Sequence, residues 1–168
     1  MARPKSWRPW QWNRQSLEHS ARTAVAAAIS LAVARVVKLP EAYWAAITTL
    51  IVMQSTLGAA LDISWKRFAG TVLGAVGGAL ATTYLRPGAL AFGAAVFGLG
   101  LASAALRLDR TAYRFASITL AIIMLIARIK PAWVVATHRF VEVSVGIGVG
   151  LVLTAVWPEA APQARPPA

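Results

Sequence analysis

The sequence predicts an all-α protein: an integral membrane bundle of six transmembrane helices, built as two inverted three-helix repeats. Three observations lead there. The chain of 168 residues is 58% hydrophobic and only 14% charged, against roughly 25% charge in a soluble domain, and its mean hydropathy is +0.60. Its apolar residues gather into charge-free runs near the ~20 residues that a helix needs to cross a hydrocarbon core. Two segments of its first half also match two segments of its second at nearly one offset.

The first expected span covers Ala21–Lys38, alanine-rich and ended by Pro40. The second, Ala42–Leu61, carries no charge and is interrupted by Asp62, Lys66 and Arg67. The third, Phe68–Leu85, opens on glycines 70, 74 and 78, whose steps of four put them on one helical face that another backbone can approach. That break is too short to hold a folded domain, so the second and third spans read as a hairpin. The fourth span is Gly88–Leu106, followed by the basic loop RLDRTAYR. The fifth runs from Ala112 to Arg128, closed by Pro131, and the sixth from Trp133 to Trp157, closed by Pro158. Residues 21–158 thus form one transmembrane domain. A basic, Trp-rich tail at 1–20 reads either as a surface-lying amphipathic segment or as disordered chain. A Pro/Ala tail at 159–168 has no apolar periodicity and is expected to be disordered.

Net charge is +11 with no cysteine. The membrane reading takes precedence over nucleic acid, because hydrocarbon-facing helices cannot build a basic groove. The larger share of the 17 Lys and Arg lies on the N-terminal side, in the tail and at Lys66, Arg67, Arg107, Arg110 and Arg114. Positive-inside bias then places both termini in the cytoplasm. No short apolar core with a cleavage site follows the basic N-terminus, so no secretory signal is expected.

The repeat is read from two matches. ITTLIVM at 47–53 aligns with ITLAIIM at 118–124, an offset of 71; RFAGTVLGAVGGALAT from Arg67 aligns with RFVEVSVGIGVGLVLT from Arg139, an offset of 72. Glycines 74 and 78 fall on glycines 146 and 150. An odd number of helices per repeat turns the second half over relative to the first, as in many secondary transporters.

No catalytic constellation is present: no nucleophile elbow, phosphate loop or HExxH. His19 and His138 lack ligand-spaced neighbours, so no metal and no cofactor are expected. Ionisable groups at membrane depth are costly and point to function. Glu142, spaced four and three from His138 and Arg139, reads as a coupling or gating cluster, or as a salt-bridged group at headgroup level. Gln54, with Ser55 and Thr56, is either a substrate contact or polar glue between helices. Inversion puts Arg67 at the cytoplasmic mouth and Arg139 at the periplasmic one. There each guanidinium either grips a departing carboxylate with two hydrogen bonds or anchors a helix end to headgroups. Gly70, Gly74, Gly78, Gly146 and Gly150 are expected to pack helices, and the first three to support a homo-oligomer.

The block Tyr43–Gly78, with Tyr43-Trp44, Ile47-Thr48, Arg67, Gly70-Thr71, Gly74 and Gly78, resembles the fusaric acid resistance and aromatic acid exporter family. The segment with Arg139, Glu142, glycines 146, 148 and 150, and Pro158 resembles that family's sixth helix. The resemblance covers about residues 20–158. It implies a six-helix unit in the bacterial inner membrane, not an enzyme, that exports aromatic carboxylic acids or related organic anions. Many members carry two such units and large cytoplasmic domains, which this sequence lacks. A non-transporting membrane subunit that assembles with another protein is the alternative.

Overall fold

A computed structural model describes residues 14–86, 88–126 and 131–158. The expectations for residues 1–13, for the Pro/Ala tail at 159–168 and for Arg128 and Lys130 lie outside these residues. Residues 14–20, expected in the N-terminal tail, instead form the first turns of the first helix, which starts at Arg14 and not at Ala21. The described residues are all-helical, with six α-helices: α1 (Arg14–Val36), α2 (Tyr43–Val52), α3 (Leu57–Tyr84), α4 (Ala89–Ala105), α5 (Arg110–Ala121) and α6 (Ala132–Val156). A π-helical stretch, Ile122–Ile126, extends α5.

The expected hairpin is there, but its turn is elsewhere. Chain reversal falls at Met53–Thr56, and Asp62, Lys66 and Arg67 lie inside the 28-residue α3. Thr56 is extended (φ −126°, ψ 149°), and its hydroxyl oxygen accepts the Ala59 N–H at 3.3 Å, which caps α3. The charges do not stop the helix because they pair along it: Asp62 and Lys66, four apart, are 2.6 Å apart. A capping threonine outweighs an unbroken apolar run. The second span is corrected accordingly. Helix α2 has 10 residues, about 15 Å of rise, half of the ~30 Å hydrocarbon thickness. Of the six helices, α6 is the one both long and apolar enough to cross a membrane by length and composition; α2 and α4 are apolar but short.

Packing is organised around α3 and α6. They run antiparallel: Phe68 meets Phe140 edge-to-face at 5.4 Å, and Ala75 and Ala79 share a buried cluster with Ala132, Val135 and Ala136. Helix α5 lies along α3, and α2 along α6; α1 covers α2 and α6, and α4 covers α5 and α3. The glycines make both close packings possible. A Cβ at Gly74 would lie 2.2 Å from the Ala116 carbonyl oxygen, and one at Gly146 would lie 2.4 Å from that of Ala45. Gly78 faces Leu120 and Ile123, as Gly150 faces Thr49 and Val52. Each partner pair keeps the offsets of 71 and 72 found in the sequence. The glycine face of α3 is therefore covered by α5 of the same chain, and the expected homo-oligomer has no basis in that face.

Helices α1 and α4 end alike. Leu39 N–H bonds Ala34 C=O and Leu108 N–H bonds Ser103 C=O, with Lys38 (φ 57°) and Arg107 (φ 54°) in the left-handed conformation that favours glycine. Lys38→Gly is expected to stabilise the protein by about 0.5–1 kcal/mol, because relief of the left-handed Cβ clash, roughly 1–2 kcal/mol, exceeds the extra backbone entropy of glycine in the unfolded chain, roughly 0.4–1 kcal/mol. A thermal melt in detergent checks it, and a lowered midpoint counts against this account of the turn. Beyond Arg107, Asp109 caps α5. The Ala112 N–H at 2.9 Å, then Lys66 at 2.9 Å, hold its carboxyl below the usual carboxylate range.

Candidate functional site: two arginines at the helix crossing

Arg67 sits in α3 and Arg139 in α6, each one residue before a phenylalanine of the Phe68–Phe140 contact. Both are 3% exposed, and Arg67 is within electrostatic reach of Arg139. The expectation of one arginine at each mouth is thereby corrected: antiparallel packing of α3 on α6 brings both to one level of the molecule. Each lies on an aromatic ring, Arg67 over Phe115 at 4.8 Å and Arg139 over Trp44 at 4.0 Å. Trp44 and Phe115 are themselves 71 residues apart.

Their polar partners differ. Arg139 is ion-paired through Nη2 to Glu41 and lies 3.4 Å through Nη1 from Glu142. Glu142 is deeply buried and also accepts the Glu41 backbone N–H at 3.2 Å. This settles the local geometry of Glu142: it is salt-bridged to Arg139, well inside the protein. His138 lies at the edge of this group, lining a cavity of about 10 Å³ with Pro40, Glu41, Val135, Arg139 and Glu142. Arg67 has no hydrogen bond or carboxylate partner among the described residues, and its Nε is fully buried without an acceptor. The buried hydroxyl of Ser64, one turn earlier on α3, is likewise without a partner there.

Gln54 is not part of this group. It follows the C-terminal end of α2, and its side chain bonds back to the Ile51 carbonyl at 3.3 Å. Thr56 caps α3. The glycines stand beside the site as spacers: Gly70 abuts Ala112 and Phe115, which sets the ring under Arg67. Among the described residues no group of His, Asp and Glu is arranged to hold a metal ion. A cleft of about 290 Å³ lies between α4 and α5 and includes Phe97, Leu101 and Tyr113. Its charged residues, Asp109 and Arg110, are solvent-exposed, whereas Arg67 and Arg139 are buried.

Sequence reasoning missed Glu41 and Phe115. Phe115 was legible, since the repeat offset carries Trp44 onto it. Glu41 follows Pro40 in a short connection, and nothing local marks it as the partner of a residue 98 positions away. It missed Arg22 as well. That buried side chain donates to the Gln54 carbonyl at 2.6 Å and the Trp157 carbonyl at 2.9 Å, joining the C-terminal ends of α2 and α6.

A family model described as fusaric acid resistance protein-like matches residues 25–153. Neither a curated protein nor a solved structure matches the chain. The match runs from within α1 to within α6 and includes both arginines. The chain belongs to the fusaric acid resistance protein-like family, a membrane family whose members are transporters.

Proposed function

We propose that the chain is an inner-membrane transporter domain that exports aromatic carboxylic acids or similar organic anions, with both termini in the cytoplasm. The observation that carries this reading is Arg67: a buried guanidinium without a hydrogen-bond or carboxylate partner among the described residues. Arginine does not escape burial by losing its proton, and an uncompensated buried charge costs several kcal/mol. A group held at such a cost suits an anion that comes and goes. A carboxylate takes two parallel hydrogen bonds from one guanidinium. The rings of Phe115, Phe68 and Phe140 offer faces and edges to an aryl group beside it.

The paired contacts at constant offset support two inverted three-helix repeats, related by a pseudo-twofold axis passing near Phe68 and Phe140. In such architectures the ligand sits at the interface between repeats, and one repeat rocks against the other. The α3–α6 crossing is that interface here. The partners in this reading are lipid, the organic anion and further copies of the chain, the last through apolar outer faces such as Val25, Ile29 and Val33 of α1.

Flux of labelled benzoate from vesicles containing the purified protein tests the proposal. Arg67→Gln is expected to cut the flux at least about tenfold, the value of a lost bidentate charged contact. Arg86→Gln, in the exposed α3–α4 turn, leaves it intact. Thermal stability of Arg67→Gln is expected to hold or rise, because the substitution removes an unpaired buried charge. Equal flux in all three proteins, or a large loss of stability without Arg67, makes this arginine a structural residue and sinks the proposal.

A further inference from the structure

Arg67 and Arg139 occupy corresponding places, one residue from the same aromatic contact, each over a ring, and within electrostatic reach of one another. Left to themselves, two such guanidiniums would suit an anion with two carboxylates. Glu41 breaks the equivalence. Its Oε2 accepts from Arg139 Nη2 and, on the same oxygen, from Trp44 Nε1 at 3.1 Å and Tyr43 Oη at 3.2 Å. The side chain of Glu41 is 36% exposed, while those of Arg139 and Glu142 are 4% and 1% exposed. Glu41 thus reaches from the surface onto Arg139. The equivalent position in the other half, Ala112, offers Arg67 no carboxylate.

We propose that Glu41 sets the charge of the anion this site accepts. It holds the Nη2 side of Arg139 with a carboxylate of the protein's own, leaves Arg67 for the substrate, and so restricts the substrate to monocarboxylates. The inference rests on the transport reading of the arginine pair. Its physical basis is exchange of like for like: the second carboxylate of a dianion could reach Arg139 only by displacing Glu41. With Glu41 present, a dianion must either expel that carboxylate or place its second charge against it, and like charges at close range in a poorly solvated site repel strongly. With Glu41→Gln, the substrate's second carboxylate takes the place of Glu41 and restores the charge around Arg139. The glutamine amide oxygen can still accept from Tyr43 and Trp44, so the connection into α2 keeps its hydrogen bonds.

The test is flux of labelled benzoate and of isophthalate, an aromatic dicarboxylate, in vesicles carrying wild type, Glu41→Gln, Glu41→Asp or Arg67→Gln. Wild type is expected to move benzoate well and isophthalate poorly. Glu41→Gln raises the ratio of isophthalate to benzoate flux at least about tenfold, the scale of one charge-assisted contact. Glu41→Asp, which keeps the charge, stays near the wild-type ratio. An unchanged ratio in Glu41→Gln, or the same rise in Glu41→Asp, overturns the inference. When benzoate flux still depends on Arg67, either result overturns it while leaving the transport reading standing. Absence of benzoate flux in wild type overturns both.

Discussion

Gly74→Ala and Gly146→Ala are each expected to destabilise the protein by about 3 kcal/mol or more, since a methyl forced between packed backbones cannot be absorbed by rotamer changes. The new Cβ would stand 2.2 Å from the Ala116 carbonyl oxygen in the first case and 2.4 Å from the Ala45 carbonyl oxygen in the second. Both obstacles are main chain, so α5 must withdraw bodily from α3, or α2 from α6. That motion opens gaps along the whole contact, including Gly78 against Leu120 and Gly150 against Val52. The opposing term is helix propensity, about 1 kcal/mol in favour of alanine, and it is too small to change the sign. Gly98→Ala and Gly148→Ala supply the contrast, because nothing lies within 4 Å of a Cβ at either position; they are expected to be neutral or slightly stabilising. Thermal unfolding in detergent, followed by tryptophan fluorescence, separates the two classes. A wild-type midpoint for Gly74→Ala would mean that α3 and α5 do not pack as closely as described.

Arg22→Met is expected to lose about 3 kcal/mol or more, as two charge-assisted hydrogen bonds go and two C-terminal carbonyls are orphaned at about 1–3 kcal/mol each. The guanidinium bonds Gln54 C=O at 2.6 Å and Trp157 C=O at 2.9 Å. One follows the last turn of α2 and the other is the C-cap of α6, so one cation serves the negative ends of two helices. Methionine keeps much of the volume and removes the donors, which isolates the electrostatic role from packing. Arg22→Lys keeps the charge but cannot place two donors in a fixed fork, and it is expected to fall between wild type and Arg22→Met. Hydrogen exchange gives a local readout: amides near Met53–Thr56 should lose protection in Arg22→Met before those of α5. Equal protection and equal melting in wild type and Arg22→Met would show that α1 does not clasp these two helix ends.

The Gly74 and Gly146 pair was within reach of the sequence, and Arg22 was not. Glycines at steps of four declare a close-packed face through local periodicity alone, and the repeat offset carries each glycine to its counterpart. Arg22 reads as one more charge near the start of an alanine-rich span. Its role depends on two carbonyls that belong to residues 32 and 135 positions away, and no local pattern encodes such a meeting. The turn at Met53–Thr56 lay between these extremes. Ser55 and Thr56 were visible, but an unbroken apolar run suggested that the helix continued to the charged residues. Hydropathy reports where chain prefers lipid, whereas capping hydrogen bonds decide where a helix can start.

The sequence alone marked this protein as all-helical, rich in charge-free apolar runs, carrying matched segments in its two halves, and packed through glycines 70, 74, 78, 146 and 150. These are properties of composition and short-range spacing, and they survive any arrangement of the helices. Which face each glycine meets, and at what level each charge stands, were decided only in the tertiary structure. The antiparallel contact of Phe68 with Phe140 sets the register of α3 on α6. That register moved Arg67 and Arg139 from opposite mouths to one crossing. It also seated Glu41 on Arg139 and left Arg67 without a carboxylate partner among the described residues. The physical reason is that charge pairing depends on distance through space, and distance between helices is set by how closely their backbones approach, which no single helix specifies.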